Sequence, residues 1–347
     1  MESARTIEAT SNEQRATSNE QRATSNNNNN NFPLFSVIIP TYNRAHIILR
    51  TINSILNQTY KNYEIIISDD GSEDNTKQII QEKFSGYPNI KYVYHENQGA
   101  SHARNYGATF ADGEYLYFLD SDDECLPDFL MKMYQKYLSD PELGAVYCQT
   151  GIYKNKKLVA ARNDHLEGNI YAQALEQGYI TSPSFITMKA ECFKNLSEGW
   201  DENCEPSSDD DICFKLAKNS KIGLINEILG IYNTDSGNNA MLNKKKTAHG
   251  WLQLWNKYAD DTFNLCGREI IIKHYLECLT RFLKINDNDG VKQCKIKIRK
   301  YSESYFKYLS TTQSLIYSRR AKQFKKIRSK IILEIKKFIK FKILRLK

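Results

Sequence analysis

The stretch that decides the fold is Phe35-Ser-Val-Ile-Ile-Pro-Thr-Tyr-Asn-Arg44, in which a continuous apolar run ends in polar residues. Similar apolar runs follow at 63–67, 90–94 and 115–119, and patterns of helical period separate them. Short apolar strands that alternate with helices are typical of β-α-β units in a parallel sheet covered on both faces. We therefore predict an α/β fold with a mostly parallel central sheet flanked by helices.

Polar clusters follow three of the predicted strands. They are Pro40–Arg44 after the first strand, Ser68–Asp74 after the second and Asp120–Glu124 after the fourth. Sheets of this kind bind ligands at the carboxyl ends of their strands, so the three clusters predict one binding site. Taken alone, the Asp-Gly-Ser sequence at 70–72 is also a common turn that caps a following helix.

The third cluster is the most acidic, with four carboxylates in the five residues Asp120–Glu124. Carboxylates gathered at a buried strand end repel one another and lose hydration unless a cation or hydrogen-bond donors lie between them. Oxygen ligands without a neighbouring histidine suit Mg²⁺ or Mn²⁺ rather than zinc. The sequence therefore predicts a divalent metal here, and an acidic surface loop is the alternative.

The run from Phe35 to Pro127 resembles the nucleotide-sugar-binding half of family 2 glycosyltransferases. The matching pieces are Ser36–Asn43, Ser54–Thr59, Asp69–Ser72, Asn97–Gly99, Ala103–Asn105, Gly113–Tyr115 and Leu119–Asp123. Their order and spacing match over roughly ninety residues, which is far more specific than a lone Asp-x-Asp. The resemblance implies a GT-A fold, a Rossmann-like sheet flanked by helices, and an inverting enzyme that uses a nucleotide-sugar donor.

The resemblance also implies which residues bind the donor. The implied nucleotide-sugar-binding residues are Pro40, Thr41, Tyr42, Asn43, Asp70, Arg104, Asp120 and Ser121. Tyr42 would stack on the uracil, and Asp70 would accept a hydrogen bond from the base or ribose. Arg104 would contact the diphosphate, with a helix-surface arginine as the alternative. Asp122 would ligate the Mn²⁺ or Mg²⁺ that bridges the diphosphate, with Asp120 beside the ribose or the metal.

The second half must supply a general base. Family members have a Gly-aromatic-Asp-Glu element and then a Glu-Asp pair that opens a helix, and this chain has Gly199–Glu202 followed by Ser207–Leu216. The match places Ser208 where the glutamate is expected and Asp209 at the base. Three adjacent aspartates leave this assignment ambiguous by one residue. Acids favoured by the helix dipole are the alternative reading.

The chain divides into three predicted segments. Residues 1–32 contain a seven-residue repeat and an asparagine run, and with almost nothing to bury we expect this segment to be disordered. Residues 33–243 form the predicted GT-A glycosyltransferase domain. Residues 244–347 carry apolar residues at helical spacing, which predicts a helical extension packed on the domain or hung from it.

The net charge of +7 arises from the C-terminal tail, because the rest of the chain is net acidic. Residues 319–347 hold thirteen basic residues and one acidic residue, whereas the rest of the chain holds 35 basic and 40 acidic residues. This distribution argues against a nucleic-acid-binding surface. The tail's apolar residues suit an amphipathic helix that binds an anionic membrane. Docking to a partner, or folding over the chain's own acidic body, are the alternatives.

The N-terminal thirty residues are polar throughout, and no apolar run approaches the ~18 residues of a membrane span. We therefore expect a cytoplasmic protein, peripheral on the inner face of the cell membrane. Its eight cysteines lack zinc-knuckle spacing and are expected to be reduced and mostly buried.

The predicted function is transfer of a sugar from a UDP-sugar to a hydroxyl of a glycan or lipid-linked acceptor, in bacterial surface polysaccharide synthesis. Two alternatives stay open at this point. A sugar nucleotidyltransferase would share the sheet and the acidic metal site, but it would show a Gly-rich basic loop where this chain has Pro40–Asn43. A non-catalytic nucleotide-sugar-binding relative is the other, since Ser208 replaces the expected glutamate.

Overall fold

The computed structural model describes residues 32–162, 165–204, 206–234 and 243–303. The strands are β1 Phe35–Thr41, β2 Tyr63–Asp70, β3 Ile90–His95, β4 Tyr115–Phe118, β5 Glu124–Cys125, β6 Leu143–Lys154, β7 Lys157–Ala161, β8 Ile186–Lys189 and β9 Lys221–Asn233. The helices are α1 Ile48–Leu56, α2 Thr76–Phe84, α3 Ala100–Ala108, α4 Phe129–Ser139, α5 Tyr171–Gln177, α6 Ala190–Lys194, α7 Ser208–Asn219, α8 Lys244–Lys257, α9 Ala259–Cys266, α10 Arg268–Ile285 and α11 Asn288–Tyr301.

The strands form one mixed sheet in the order β3-β2-β1-β4-β8-β6-β9-β5, with β7 added to β6. Strands β3, β2, β1 and β4 are parallel, and β9 is parallel to β6. Strands β8 and β5 run antiparallel to their neighbours. The predicted α/β fold with a mostly parallel sheet is confirmed, and the antiparallel pairs in its second half are an addition to the prediction.

Both faces of the sheet are covered, as the continuous apolar runs indicated. Successive side chains of a strand point to opposite faces. Accordingly, Ile38 of β1 and Ile66 of β2 belong to one buried cluster, whereas Val37 and Ile65 belong to the other. Every residue of β1 and β2 is buried. The two strands that carry the first polar clusters are therefore fixed by packing on both sides.

The C-terminal helices pack on the sheet domain and share its core. Trp255 of α8 and Tyr275 of α10 lie in the same buried cluster as Ile38 and Ile66. The Trp255 indole stacks on the His274 imidazole with ring centroids 3.5 Å apart. The helical extension is thus confirmed over 244–303, whereas the predicted disorder of the N-terminal repeat and the amphipathic helix of 319–347 lie outside the described residues.

All eight cysteines are free thiols, and six of them are buried. Burial raises the pKa of Cys125 to about 12, so this thiol stays neutral and packs as a small apolar side chain. The expectation that the cysteines are mostly buried is confirmed. Within the described ranges, no helix combines the length and the apolar character that crossing a bilayer requires.

Candidate active site

The loops after β1, β2 and β4 contact one another at the carboxyl ends of these parallel strands. The Asn43 backbone N–H donates to Ser72 Oγ at 2.8 Å, which joins the first two loops. The Arg44 guanidinium lies 3.6 Å from Asp122 Oδ2, which joins the first and third loops. The structure therefore brings together the three polar clusters that the sequence places at strand ends, and this meeting point is called the catalytic edge below.

The loop after β1 is shaped by Asn43, which adopts a left-handed conformation with φ 53°. Asparagine tolerates this region better than most residues. Its side-chain oxygen accepts hydrogen bonds from the Glu73 and Asp74 backbone N–H groups at 2.9 and 3.3 Å. The Asn43 amide oxygen thus holds the second loop in place. The neighbouring Tyr42 ring is 44% exposed, so it offers an aromatic face at the catalytic edge.

The end of β2 is held by Asp70, whose carboxylate is buried. It accepts hydrogen bonds from the Gln98 backbone N–H at 2.7 Å and from the Gly99 N–H at 3.0 Å. Gly71 has φ +81°, and a Cβ there would lie 2.9 Å from the Asn97 backbone nitrogen. Glycine is therefore required at this close approach. The Asp70 carboxylate and the Asn97–Gly99 turn form one preorganised unit.

The acidic loop after β4 is anchored by residues from distant elements. The Thr51 hydroxyl lies 2.9 Å from the Ser121 carbonyl oxygen and 2.8 Å from that of Asp123. The Arg50 guanidinium donates to the Asp122 carbonyl at 2.8 Å, and the Asn233 amide donates to it at 3.0 Å. Because its backbone is held from both sides, the loop can direct its carboxylates with little freedom.

Two carboxylates of this loop, those of Asp122 and Asp123, have different surroundings. The Asp122 side chain is 20% exposed and faces Arg44. The Asp123 side chain is fully buried, and burial, followed by the charges of Asp120 and Asp122, raises its pKa well above the usual range. Its Oδ2 atom is buried without a hydrogen-bond partner. The partly exposed carboxylates of Asp120 and Asp122 offer the oxygen ligands that a hard divalent cation such as Mg²⁺ or Mn²⁺ prefers.

Arg104 of α3 joins the two halves of the site. Its guanidinium donates to Asp120 Oδ1 at 2.6 Å and lies 3.7 Å from Asp209 Oδ1. It is buried and lies over the Trp200 ring, 4.3 Å from the centroid. The surface-arginine alternative is therefore wrong. Arg104 brings an aspartate of the acidic loop and an aspartate of the second half to one cation.

The three adjacent aspartates open α7 and point in different directions. Asp209 faces Arg104, and its side chain is 43% exposed. Burial, together with the charge of Asp209, raises the pKa of Asp210 to about 7. Asp211 is fully buried and paired with Lys215 and Lys257. Only Asp209 combines access to solvent with contact to the catalytic edge, so the geometry separates three residues that the sequence left ambiguous.

Sequence reasoning did not predict several residues that build the site. Thr51 and Arg50 belong to a helix recognised only by its apolar period, and Asn233 ends a strand in a region without a readable motif. The matched motifs did contain a signal for Asn105. Its side-chain amide donates to the Trp200 backbone carbonyl at 2.8 Å and accepts from the Trp200 backbone N–H at 2.9 Å. Because Ala103–Asn105 and Gly199–Glu202 are both motifs of the same family, their joint presence could have predicted a contact between them.

A mixed α/β sheet with a divalent-cation-compatible acidic loop at its carboxyl edge, opposite an aspartate at a helix start, defines the GT-A class of nucleotide-sugar-dependent enzymes. Residues 36–196 match the family model described as Glycosyl transferase family 2. This match, together with relatives that are named glycosyltransferases, supports a family 2 glycosyltransferase.

Relatives and solved structures agree with this assignment. The chain is 31% identical over 207 residues to a hyaluronan synthase of Pasteurella multocida, covering 57% of this chain and 20% of that protein. It is 43% identical over 106 residues to a Campylobacter jejuni GalNAc(5)-diNAcBac-PP-undecaprenol beta-1,3-glucosyltransferase, covering 30% of this chain and 34% of that protein. The chain thus spans about a third or less of these two curated relatives.

The fold is similar to that of S. aureus TarS 1-349 in complex with UDP-GlcNAc. The TM-score is 0.51 at 18% sequence identity, and the match covers 78% of this chain and 91% of that one. At this level of identity, the similarity establishes the GT-A fold.

Proposed function

We propose that this protein transfers a sugar, with inversion, from a UDP-sugar to a hydroxyl group of a glycan or lipid-linked acceptor in bacterial surface polysaccharide synthesis. The observation that carries the proposal is the position of Arg104, between Asp120 of the donor half and Asp209 of the second half. A nucleotide-binding edge and a solvent-accessible carboxylate are what an inverting transfer requires. The TarS complex and the polysaccharide-synthesising relatives support this choice of donor and pathway.

In this proposal the catalytic edge binds the UDP portion of the donor. Tyr42 stacks on the uracil, with Pro40, Thr41 and Asn43 shaping the floor of the pocket, and Asp70 accepts a hydrogen bond from the base or ribose. Arg104, Asp120 and Ser121 lie along the diphosphate and ribose. Asp122, with Asp120 beside it, would hold Mn²⁺ or Mg²⁺, which when bound neutralises the charge that develops on the departing diphosphate.

Asp209 acts as the general base. The acceptor hydroxyl passes its proton to the Asp209 carboxylate as its oxygen bonds to the anomeric carbon. The bond between that carbon and the diphosphate oxygen breaks on the opposite face, and UDP leaves with the electron pair. Arg104, close to both Asp209 and Asp120, orients the base toward the donor. A single displacement needs no covalent intermediate, so no protein nucleophile is required.

Release of UDP tests the proposed activity. We expect purified protein with Mn²⁺ to release UDP from one of UDP-glucose, UDP-galactose, UDP-GlcNAc and UDP-GalNAc at least tenfold faster than from the others, because one donor pocket accommodates one sugar geometry best. A coupled UDP assay measures this release. Pyrophosphate formation from UTP and a sugar phosphate would instead indicate a nucleotidyltransferase. Donor binding without turnover, even with added glycan acceptors, would indicate a non-catalytic relative.

We further propose that the basic tail, 319–347, holds the protein on the inner face of the cell membrane. Each Lys or Arg near an anionic surface contributes about 1 kcal/mol. Replacing Lys336, Lys337 and Lys340 with glutamine should therefore weaken binding to vesicles containing phosphatidylglycerol by roughly a hundredfold. Vesicle flotation measures this partitioning. The same change at the hairpin lysines Lys154, Lys156 and Lys157 is the control, and equal losses in both variants would contradict a tail-specific anchor.

A further inference from the structure

A cluster of three potential metal ligands lies behind the catalytic edge. Carboxylate oxygens of Asp201 and Asp211 and the Cys204 sulfur all lie within 4.8 Å of one another. The Lys257 ammonium lies 2.6 Å from Asp201 Oδ2 and 2.8 Å from Asp211 Oδ1. A lysine from the C-terminal helices therefore supplies the cation that these carboxylates need.

The chemistry of the cluster favours an ammonium over a metal ion. Burial, with the charges of Asp211 and Asp201, raises the pKa of the Cys204 thiol to about 12, so the sulfur is protonated and a poor metal ligand. Burial opposes the charge on Lys257, but its hydrogen bonds to Asp201 and Asp211 outweigh this and raise its pKa. Lys257 therefore stays charged at neutral pH.

Asp211 is the centre of this network and is fully buried. Besides Lys257, it receives a hydrogen bond from the Tyr258 hydroxyl at 2.8 Å and lies 2.9 Å from the Lys215 ammonium. A buried carboxylate that loses one of its partners is strongly destabilised, because the remaining charge is uncompensated. The start of α7 is consequently fixed by Lys257, the last residue of α8, and by Tyr258, which directly follows that helix.

The Lys257 ammonium also contacts the segment that supports Arg104. Asp201 directly follows Trp200, whose ring lies under the Arg104 guanidinium. Asp211 is two residues after Asp209 in the first turn of α7. Lys257 thus joins the segment beneath Arg104 to the helix turn that carries Asp209. The proposed reaction requires a fixed separation between these two segments.

We infer that Lys257 is a positioning residue for sugar transfer. From the end of α8, it keeps Asp209 and Arg104 at a fixed position relative to each other. This inference rests on the proposed function and assigns residues beyond the matched family segment a role in it. Without the ammonium, the Asp201 and Asp211 carboxylates repel each other and the first turn of α7 moves. A displacement of about 1 Å at a reacting group is sufficient to cost ~10²-fold in rate.

The test compares Lys257→Met with the control Lys218→Met. Lys218 is on the last turn of α7, where it pairs with Asp261 on the exposed surface at 2.7 Å. We expect Lys257→Met to lower kcat, expressed per UDP-binding site titrated by calorimetry, by at least tenfold while the Kd for UDP changes less than twofold. Lys257→Arg should recover part of the rate because the charge returns. Lys218→Met should match the wild type.

Hydrogen exchange gives a readout that does not depend on activity. We expect Lys257→Met to lose protection at residues 208–213 while β1 and β2 keep theirs. An unchanged kcat per binding site, an equal loss in Lys218→Met, or loss of UDP binding would each overturn the positioning role. Unchanged exchange at 208–213 would do so even if the wild type proved inactive with every donor. Inactivity of the wild type by itself would count against the proposed function alone.

Discussion

Replacing Asp209 with asparagine should lower kcat for sugar transfer by about 10²–10⁴-fold and leave the affinity for UDP unchanged. Asparagine has the same shape and can still accept a hydrogen bond from Arg104, but it cannot take a proton from the acceptor hydroxyl. Loss of general-base catalysis typically has this magnitude. Steady-state UDP release in the presence of acceptor measures kcat, and calorimetry with UDP measures binding.

Asp210→Asn is the matched control because it makes the same chemical change one residue along the same helix turn. Among the described residues Asp210 has no ion pair at the catalytic edge, and its pKa is already raised to about 7. We expect this variant to retain kcat within tenfold. A large loss in Asp210→Asn together with a wild-type rate in Asp209→Asn would move the base by one residue, which is the ambiguity that the three adjacent aspartates created.

Replacing Asp122 with alanine should abolish the gain in UDP affinity that Mn²⁺ confers. In the wild type we expect Mn²⁺ to tighten UDP binding at least tenfold, because a cation between the loop carboxylates and the diphosphate offsets charge on both sides. Removing Asp122 takes away one ligand and leaves the Arg44 guanidinium, which lay 3.6 Å from it, facing the site. Metal-independent binding of UDP should therefore persist. Titrations with and without Mn²⁺ separate the two contributions.

Asp112→Ala is the control for this experiment, since Asp112 is 75% exposed and pairs with Lys91 away from the catalytic edge. It should keep the full Mn²⁺ dependence. If Asp122→Ala also keeps that dependence, Asp122 is not the ligand that matters. If the wild type shows equal UDP affinity with and without Mn²⁺, the metal hypothesis itself is wrong.

Local sequence predicted the first half of the fold closely. The predicted strand at 63–67 is observed as Tyr63–Asp70, and the predicted strand at 115–119 is observed as Tyr115–Phe118. These elements are buried on one or both faces, so the spacing of their apolar residues indicates their secondary structure. The second half was less predictable because β9 is long and only partly buried. Its pairing with β6 and β5 depends on residues about eighty and about a hundred positions away.

The candidate site divides in the same way. The turn chemistry at Asn43 and Gly71 is local, since positive φ and close backbone approach demand particular residue types. The motifs therefore indicated where the donor half lies. The partner of each carboxylate is not local. Asp120 and Asp209 meet at Arg104, although 89 positions separate them in the chain.

By itself, the sequence determined the α/β class, the edge of the sheet that carries the polar clusters, and the resemblance to family 2 glycosyltransferases. Periodicity and turn chemistry are properties of neighbouring residues, so they can be recognised without the fold. Only the tertiary structure distinguished Asp209 from Asp210 and Asp211, because the three have the same chemistry and differ only in what surrounds them. Burial and the ammonium of Lys257, supplied 46 residues later, assign Asp211 to the framework and leave Asp209 at the site.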